Sequence, residues 1–86
     1  MITFDSVKKS LRIFTNVFDD EIKSLMAEAT EDLARSGITN TSTEMYSRAV
    51  VCYSRTYFGE RDEQERERLR QGYETIKNRL AVTDGD

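Results

Sequence analysis

"DDEIKSLMAEATEDLARSGI", residues 19–38, decides what kind of chain this is. Three consecutive acids either gather around an ion, serve an active site, or begin a helix. Ile22, Leu25, Met26, Ala29 and Leu33 follow them at three- and four-residue intervals, a single stripe of an amphipathic helix. Consecutive helical residues point about 100° apart, so Asp19, Asp20 and Glu21 cannot converge on one ion from a helical start. They do fit a start signal. Asp19 or Asp20 can cap the helix through a side-chain oxygen on a free backbone N–H, and the remaining acids meet the positive end of the helix dipole. The stripe stops at Ser36-Gly37-Ile38, where Gly37 suits a left-handed C′ residue and Ile38 can fold back on Leu33.

The same reading extends outward. Proline is absent and glycine occurs only at 37, 59, 72 and 85, in a chain rich in Glu, Arg, Lys, Leu and Ala, so the fold class is all-α. A first helix is predicted over about residues 4–13, capped by Thr3 or Asp5, with Phe4, Val7, Leu11 and Phe14 on one face. "TNTSTEMY" opens a third helix through a capping box of Thr41 and Glu44, which runs to Phe58 and stops at Gly59. A fourth is predicted from Asp62 to Leu80, leaving Thr83–Asp86 as a disordered tail. The expectation is a single domain, residues 1–86, built as a small four-helix bundle.

Two features of the second half are unusual. In the third helix Met45, Ala49, Val50, Cys52, Tyr53 and Tyr57 span a wide arc, while Val51 and Phe58 fall on nearly the opposite side. A helix apolar on both sides is either central or lies against a second body. In the fourth, Leu69, Tyr73, Ile76 and Leu80 make a narrow stripe whose backward continuation meets Asp62, Glu65 and Arg66, which do not suit a core. "ERDEQERERLR" therefore reads as a projecting charged arm. Its side chains are spaced for intrahelical pairs (Asp62–Arg66, Glu63–Arg66, Glu67–Arg70). The candidate oligomer interface is Val51 and Phe58 together with Asp62, Glu65, Arg66 and Arg68.

Chemistry finds few footholds. There is no histidine, the commonest general base and zinc ligand. The single cysteine, Cys52, sits on an apolar face and reads as a small buried hydrophobe. Glu28, Glu31 and Asp32 have the spacing of a carboxylate metal bundle but lack its Glu-x-x-His partners. No catalytic residue, metal or cofactor is expected. An 86-residue domain is marginal without help, and with one cysteine and no metal motif the expected help is self-association. No apolar run is long enough to cross a membrane, and "MITFDSVKK" lacks the layout of a signal peptide, so a soluble intracellular protein is expected. The net charge of −3 argues against a dedicated nucleic-acid binder. One competing signal is "EDLARSGITNTSTEMYSRAV", residues 31–50, which has the outline of a helix-turn-helix. Its spacing is one residue short, and its second helix offers only Arg48 and Arg55. A small DNA-binding regulator is the alternative function.

"VKKSLRI", the opening "DDEIKSLMAEATEDLARSGI", "AVVCYSRTYFG" and "GYETIKNRL", in that order, resemble the small head–tail connector proteins of tailed double-stranded DNA phages and prophages. The resemblance covers residues 4–80 and rests on caps and core positions. It departs from longer relatives in the brief segment at 37–41 and the short C-terminus. It implies a non-enzymatic virion protein, found in the host cytoplasm before assembly. It further implies a homo-oligomeric ring of about a dozen copies beneath the portal protein. Such a ring would meet a tail-completion or stopper protein and pass DNA through its lumen without specific binding.

Overall fold

Thr3 begins the first helix as expected: its Oγ1 accepts a hydrogen bond from the Ser6 N–H at 3.2 Å, and α1 spans Phe4–Ser10. The computed structural model describes residues 3–59 and 62–84, without the side chains of 83 and 84. Its helices are α1, α2 (Asp19–Arg35), α3 (Glu44–Tyr57) and α4 (Glu63–Asp84), with no strand among the described residues.

Helix α1 is shorter than predicted, and the cause is local. Arg12 takes a left-handed φ of 59°, the Ile13 N–H returns to the Lys8 carbonyl, and the Arg12 N–H returns to Lys9, both at 3.0 Å. That is a Schellman ending with arginine where glycine is usual. Phe14, assigned above to the helical face, consequently lies in the connecting loop, 88% exposed.

The acids at 19–21 do begin a helix, but neither aspartate caps it. The N-cap is Phe18, with no side-chain hydrogen bond, and all three acids occupy the first turn, where the dipole favours them. Asp19 is drawn toward α1 instead: Lys8 Nζ lies 2.9 Å from its Oδ1, a charge contact without hydrogen-bond alignment. The other end is as read. Gly37 has φ 86°, and Ile38 N–H reaches the Leu33 carbonyl at 3.1 Å, with both side chains buried.

Helix α3 begins later than predicted. Thr43, not Thr41, is its cap, accepting from the Tyr46 N–H at 3.1 Å, so the Thr41–Glu44 box does not form. Asn40 Oδ1 takes the Ser42 N–H and hydroxyl, which holds that segment in a turn. Asp62 caps α4 through Oδ1 on the Glu65 N–H at 2.8 Å. Leu80 and Ala81 still pack on the core, and α4 continues past the expected end at Leu80 to Asp84. The expected tail is thus helical at 83 and 84. Positions 85 and 86 lie outside the described residues, as do Glu60 and Arg61 of the expected arm.

Packing centres on α3, which touches all three other helices. Val7 of α1, Ile22, Ala29 and Leu33 of α2, Tyr46, Ala49 and Val50 of α3, and Tyr73 and Leu80 of α4 form one buried cluster with Ile38. The buried arc of α3 keeps Ala49 and Val50 of the predicted one, with Cys52 and Tyr53 partly buried against the core, but its edges differ. Tyr46, Ser54 and Thr56 are inside, while Met45 and Tyr57 are 39% and 41% exposed. A helix enclosed from three directions buries polar positions too, and Thr56 answers this by donating its hydroxyl to the Cys52 carbonyl at 2.7 Å. Glu44, Arg48 and Arg55 make up the exposed polar stripe of α3.

Candidate functional site

Of the residues proposed as an interface, Phe58 and Asp62 mark the end of α3 and the start of α4, whereas Val51 lies midway along α3. Val51 is half-buried against the protomer's own core. Phe58, the C-cap of α3, is half-buried as well, and its ring meets Phe18 edge-on at 5.4 Å. Such pairs favour the perpendicular arrangement because a ring's positive edge seeks a negative face. Asp62 is engaged as a cap, while Glu65 and Arg68 are exposed.

Arg66 departs from expectation. It is half-buried with Leu69 on the inner side of α4, and its Nε is enclosed without a hydrogen-bond partner. Tyr57, Glu63, Arg66, Glu67 and Arg70 line a groove between the end of α3 and the start of α4, so the arm's first turns lie beside the last turn of α3. Glu67 pairs with Arg70 as predicted. Among the described residues, neither Asp62 nor Glu63 forms an ion pair with Arg66.

Sequence reasoning missed the most exposed apolar groups. Phe14 and Val17, 88% and 79% exposed, stand on the loop between α1 and α2 beside Phe18. That loop and Phe58 share one end of the molecule. At the other end of α3, Met45, Asn78, Arg79 and Val82 line an open apolar groove, with Val82 70% exposed. Helix α3 has fourteen residues, so the two ends lie about 20 Å apart. Hydrophobic periodicity does not reveal either patch: the first depends on where α1 stops, and the second joins residues distant in sequence.

The titratable groups are arranged for structure. The Tyr73 hydroxyl donates to Asp32 Oδ2 at 2.5 Å, and Lys77 Nζ lies 3.2 Å from the same oxygen and 3.1 Å from Glu74. Partial burial works to raise the Asp32 carboxyl, but hydrogen bonds from Tyr73 and Lys77 and the lysine charge outweigh it and hold the pKa below its ordinary value. Burial, then the bond to Asp32, pushes the Tyr73 phenol far above its ordinary value. Burial also pushes the Cys52 thiol up, away from the reactive thiolate, against the opposing charges of Arg55 and Arg48. Among the described residues no three His, Cys, Asp or Glu side chains gather to hold a metal ion, and no helix is long and apolar enough to cross a membrane.

One network of ionisable groups, Asp32, Tyr73, Lys77 and Glu74, thus ties α4 to α2, and the most exposed apolar groups, Phe14, Val17 and Val82, lie toward the two ends of α3. The chain belongs to the phage connector protein family, whose model matches residues 3–86. It is a structural protein of the phage head–tail junction, a component of the virion. Neither the search of curated proteins nor that of solved structures returned a match.

Proposed function

We propose that the protein is the adaptor that forms a ring beneath the portal and continues the DNA channel toward the tail. The family match over residues 3–86 carries this reading. The protomer supplies a physical basis. Ring closure is heterologous, with one surface meeting a different surface on the neighbour, and this chain has unlike apolar patches at its two ends. Phe58 and the start of α4, with Asp62, Glu65, Arg66 and Arg68, lie at the first of these ends and contribute to the joint; Val51 adds its uncovered edge. About a dozen copies close the ring, with portal protein above, a tail-completion or stopper protein below, and assembly in the host cytoplasm preceding attachment. Net charge of −3 per copy lets DNA pass without adhering.

The regulator reading gains no observation in its favour. A recognition helix must lay a face in the major groove, whereas α3 is packed against three helices and the only cations on its exposed side are Arg48 and Arg55. Arg55 is further tied to the Ser10 carbonyl at 3.3 Å.

The test is assembly of phage particles lacking this protein. The expected product is heads carrying portal but no tail, with the ring restored when purified protein is added. Tailed, infectious particles without it would overturn the proposal.

A further inference from the structure

We propose that the loop end of one copy, led by Phe14 and Val17, seats in the groove formed by Met45, Arg79 and Val82 of the next copy. The inference rests on the ring reading and names its joint.

Three observations commit the groove to a second copy of this chain. The first is shape. Phe14 and Val17 stand out from a loop at 88% and 79% exposure, whereas Met45, Asn78, Arg79 and Val82 line a shallow, open groove whose exposed surface is mostly apolar. A protruding apolar loop and a shallow apolar groove are complementary halves of one contact. The second is position. The Phe18–Phe58 pair places the loop at the C-terminal end of α3, and Met45 places the groove at its N-terminal end. Surfaces at opposite ends of one protomer cannot meet each other, but they can propagate from copy to copy. The third is charge. Asp20 and Glu21 follow the loop directly and are exposed, Arg79 lines the groove, and none of the three takes part in an ion pair among the described residues. Seating the loop would bring the acids toward the arginine, which favours correct register over the reverse arrangement.

The geometry also limits how the joint can be used. Each copy offers one loop end and one groove, so association proceeds head to tail and does not stop at a symmetric pair.

The decisive experiment uses two full-length variants, Phe14→Asp and Val82→Asp, each spoiling one half of the joint. Both sites are exposed, so circular dichroism of each should match the wild type. Sedimentation velocity across a concentration series should show the wild type growing beyond dimer, and each variant associating at least about tenfold more weakly. An equimolar mixture of the two should form a one-to-one dimer and grow no further, because only one intact loop end and one intact groove remain.

Either variant assembling like the wild type overturns the joint, as does a mixture that forms no dimer while the wild type assembles. Variants that form normal rings but no longer attach to portal-bearing heads would assign the face to the portal and equally overturn the joint. If the wild type assembles only on such heads, the readout is a disulfide between copies carrying Phe14→Cys and Val82→Cys in a Cys52→Ser background. Its formation supports the joint, and its absence there refutes it. A wild-type protein that neither self-associates nor attaches to heads fails the connector reading itself.

Discussion

Tyr73 on α4 donates its hydroxyl to the Asp32 carboxylate on α2 at 2.5 Å, a side-chain bridge between two helices that otherwise meet mainly through α3. Tyr73 is nearly fully buried, and Lys77 joins the same carboxylate oxygen. Asp32→Ala leaves both donors short of a partner and should cost about 1–3 kcal/mol, whereas Tyr73→Phe should cost about 1 kcal/mol. The double variant should cost less than the sum, because the second change removes a group already unpaired. Urea denaturation of the four proteins gives the coupling directly, and strict additivity would show that the bridge contributes nothing.

The same bridge sets a pH dependence with a definite sign at each end. The Asp32 pKa is depressed in the folded state, so its contribution is present at neutral pH and lost as pH falls below about 4. The Tyr73 and Lys77 pKa values are raised, the lysine because its carboxylate partners outweigh its burial. Their contributions are present at neutral pH and lost as pH rises above about 10. The stability difference between wild type and Asp32→Asn should therefore be widest across the neutral range and narrow toward both extremes. A difference that is flat with pH would rule the linkage out.

Two Schellman endings in one small protein give a matched pair of backbone tests. At Gly37, φ is 86° and an added Cβ would meet nothing within 4 Å, so Gly37→Ala isolates the conformational cost. Loss of about 1–2 kcal/mol is expected. At Arg12, φ is 59° and the side chain is exposed. Arg12→Gly relieves the left-handed strain while adding freedom to the unfolded chain, and a net gain of up to about 1 kcal/mol is expected. Thermal melts should move in opposite directions for the two variants.

Those positions also show what the sequence could and could not convey. Helix α2 was legible at its stop, because its stripe and Gly37 point to the same ending. The stop of α1 was not, since an arginine in a left-handed conformation carries no mark in the sequence, and Phe14 was therefore assigned to a core it does not enter. The α4 stripe from Leu69 to Leu80 was readable as far as it was apolar, but Arg66 extends it inward with a charged side chain that periodicity discounts. The centre of the buried arc of α3, Ala49 and Val50, was legible, but its full extent was not, because polar Ser54 and Thr56 are buried too. The two apolar ends emerge only once the helices are placed, for neither is contiguous with a single helical face.

Capping separates two threonines only two positions apart. Thr43 holds the Tyr46 N–H, so Thr43→Ala should cost about 1 kcal/mol. Thr41→Ala should change stability by less than about 0.5 kcal/mol, because no cap depends on it. Equal effects at the two sites, measured by chemical denaturation, would return the helix start to Thr41.

Phe58 tests where the protomer ends and the joint begins. Its ring meets Phe18 and the core cluster, yet it remains half-exposed at the loop end. Phe58→Asp removes the edge-on pair, worth about 0.5–1.5 kcal/mol, along with the burial of the ring, and sets a carboxylate beside the apolar cluster. The expected loss is about 2–4 kcal/mol, a large share of what so small a domain has. Phe14→Asp changes a side chain that touches little of its own protomer, and its melting temperature should stay at the wild-type value. Both variants should assemble poorly, but for different reasons: Phe58→Asp because the end of α3 loosens, Phe14→Asp because an intact protomer has lost its contact. Hydrogen exchange separates the two causes. Faster exchange in the last turn of α3 is expected for Phe58→Asp alone, and the same change in Phe14→Asp would mean that the loop supports the fold and not the joint.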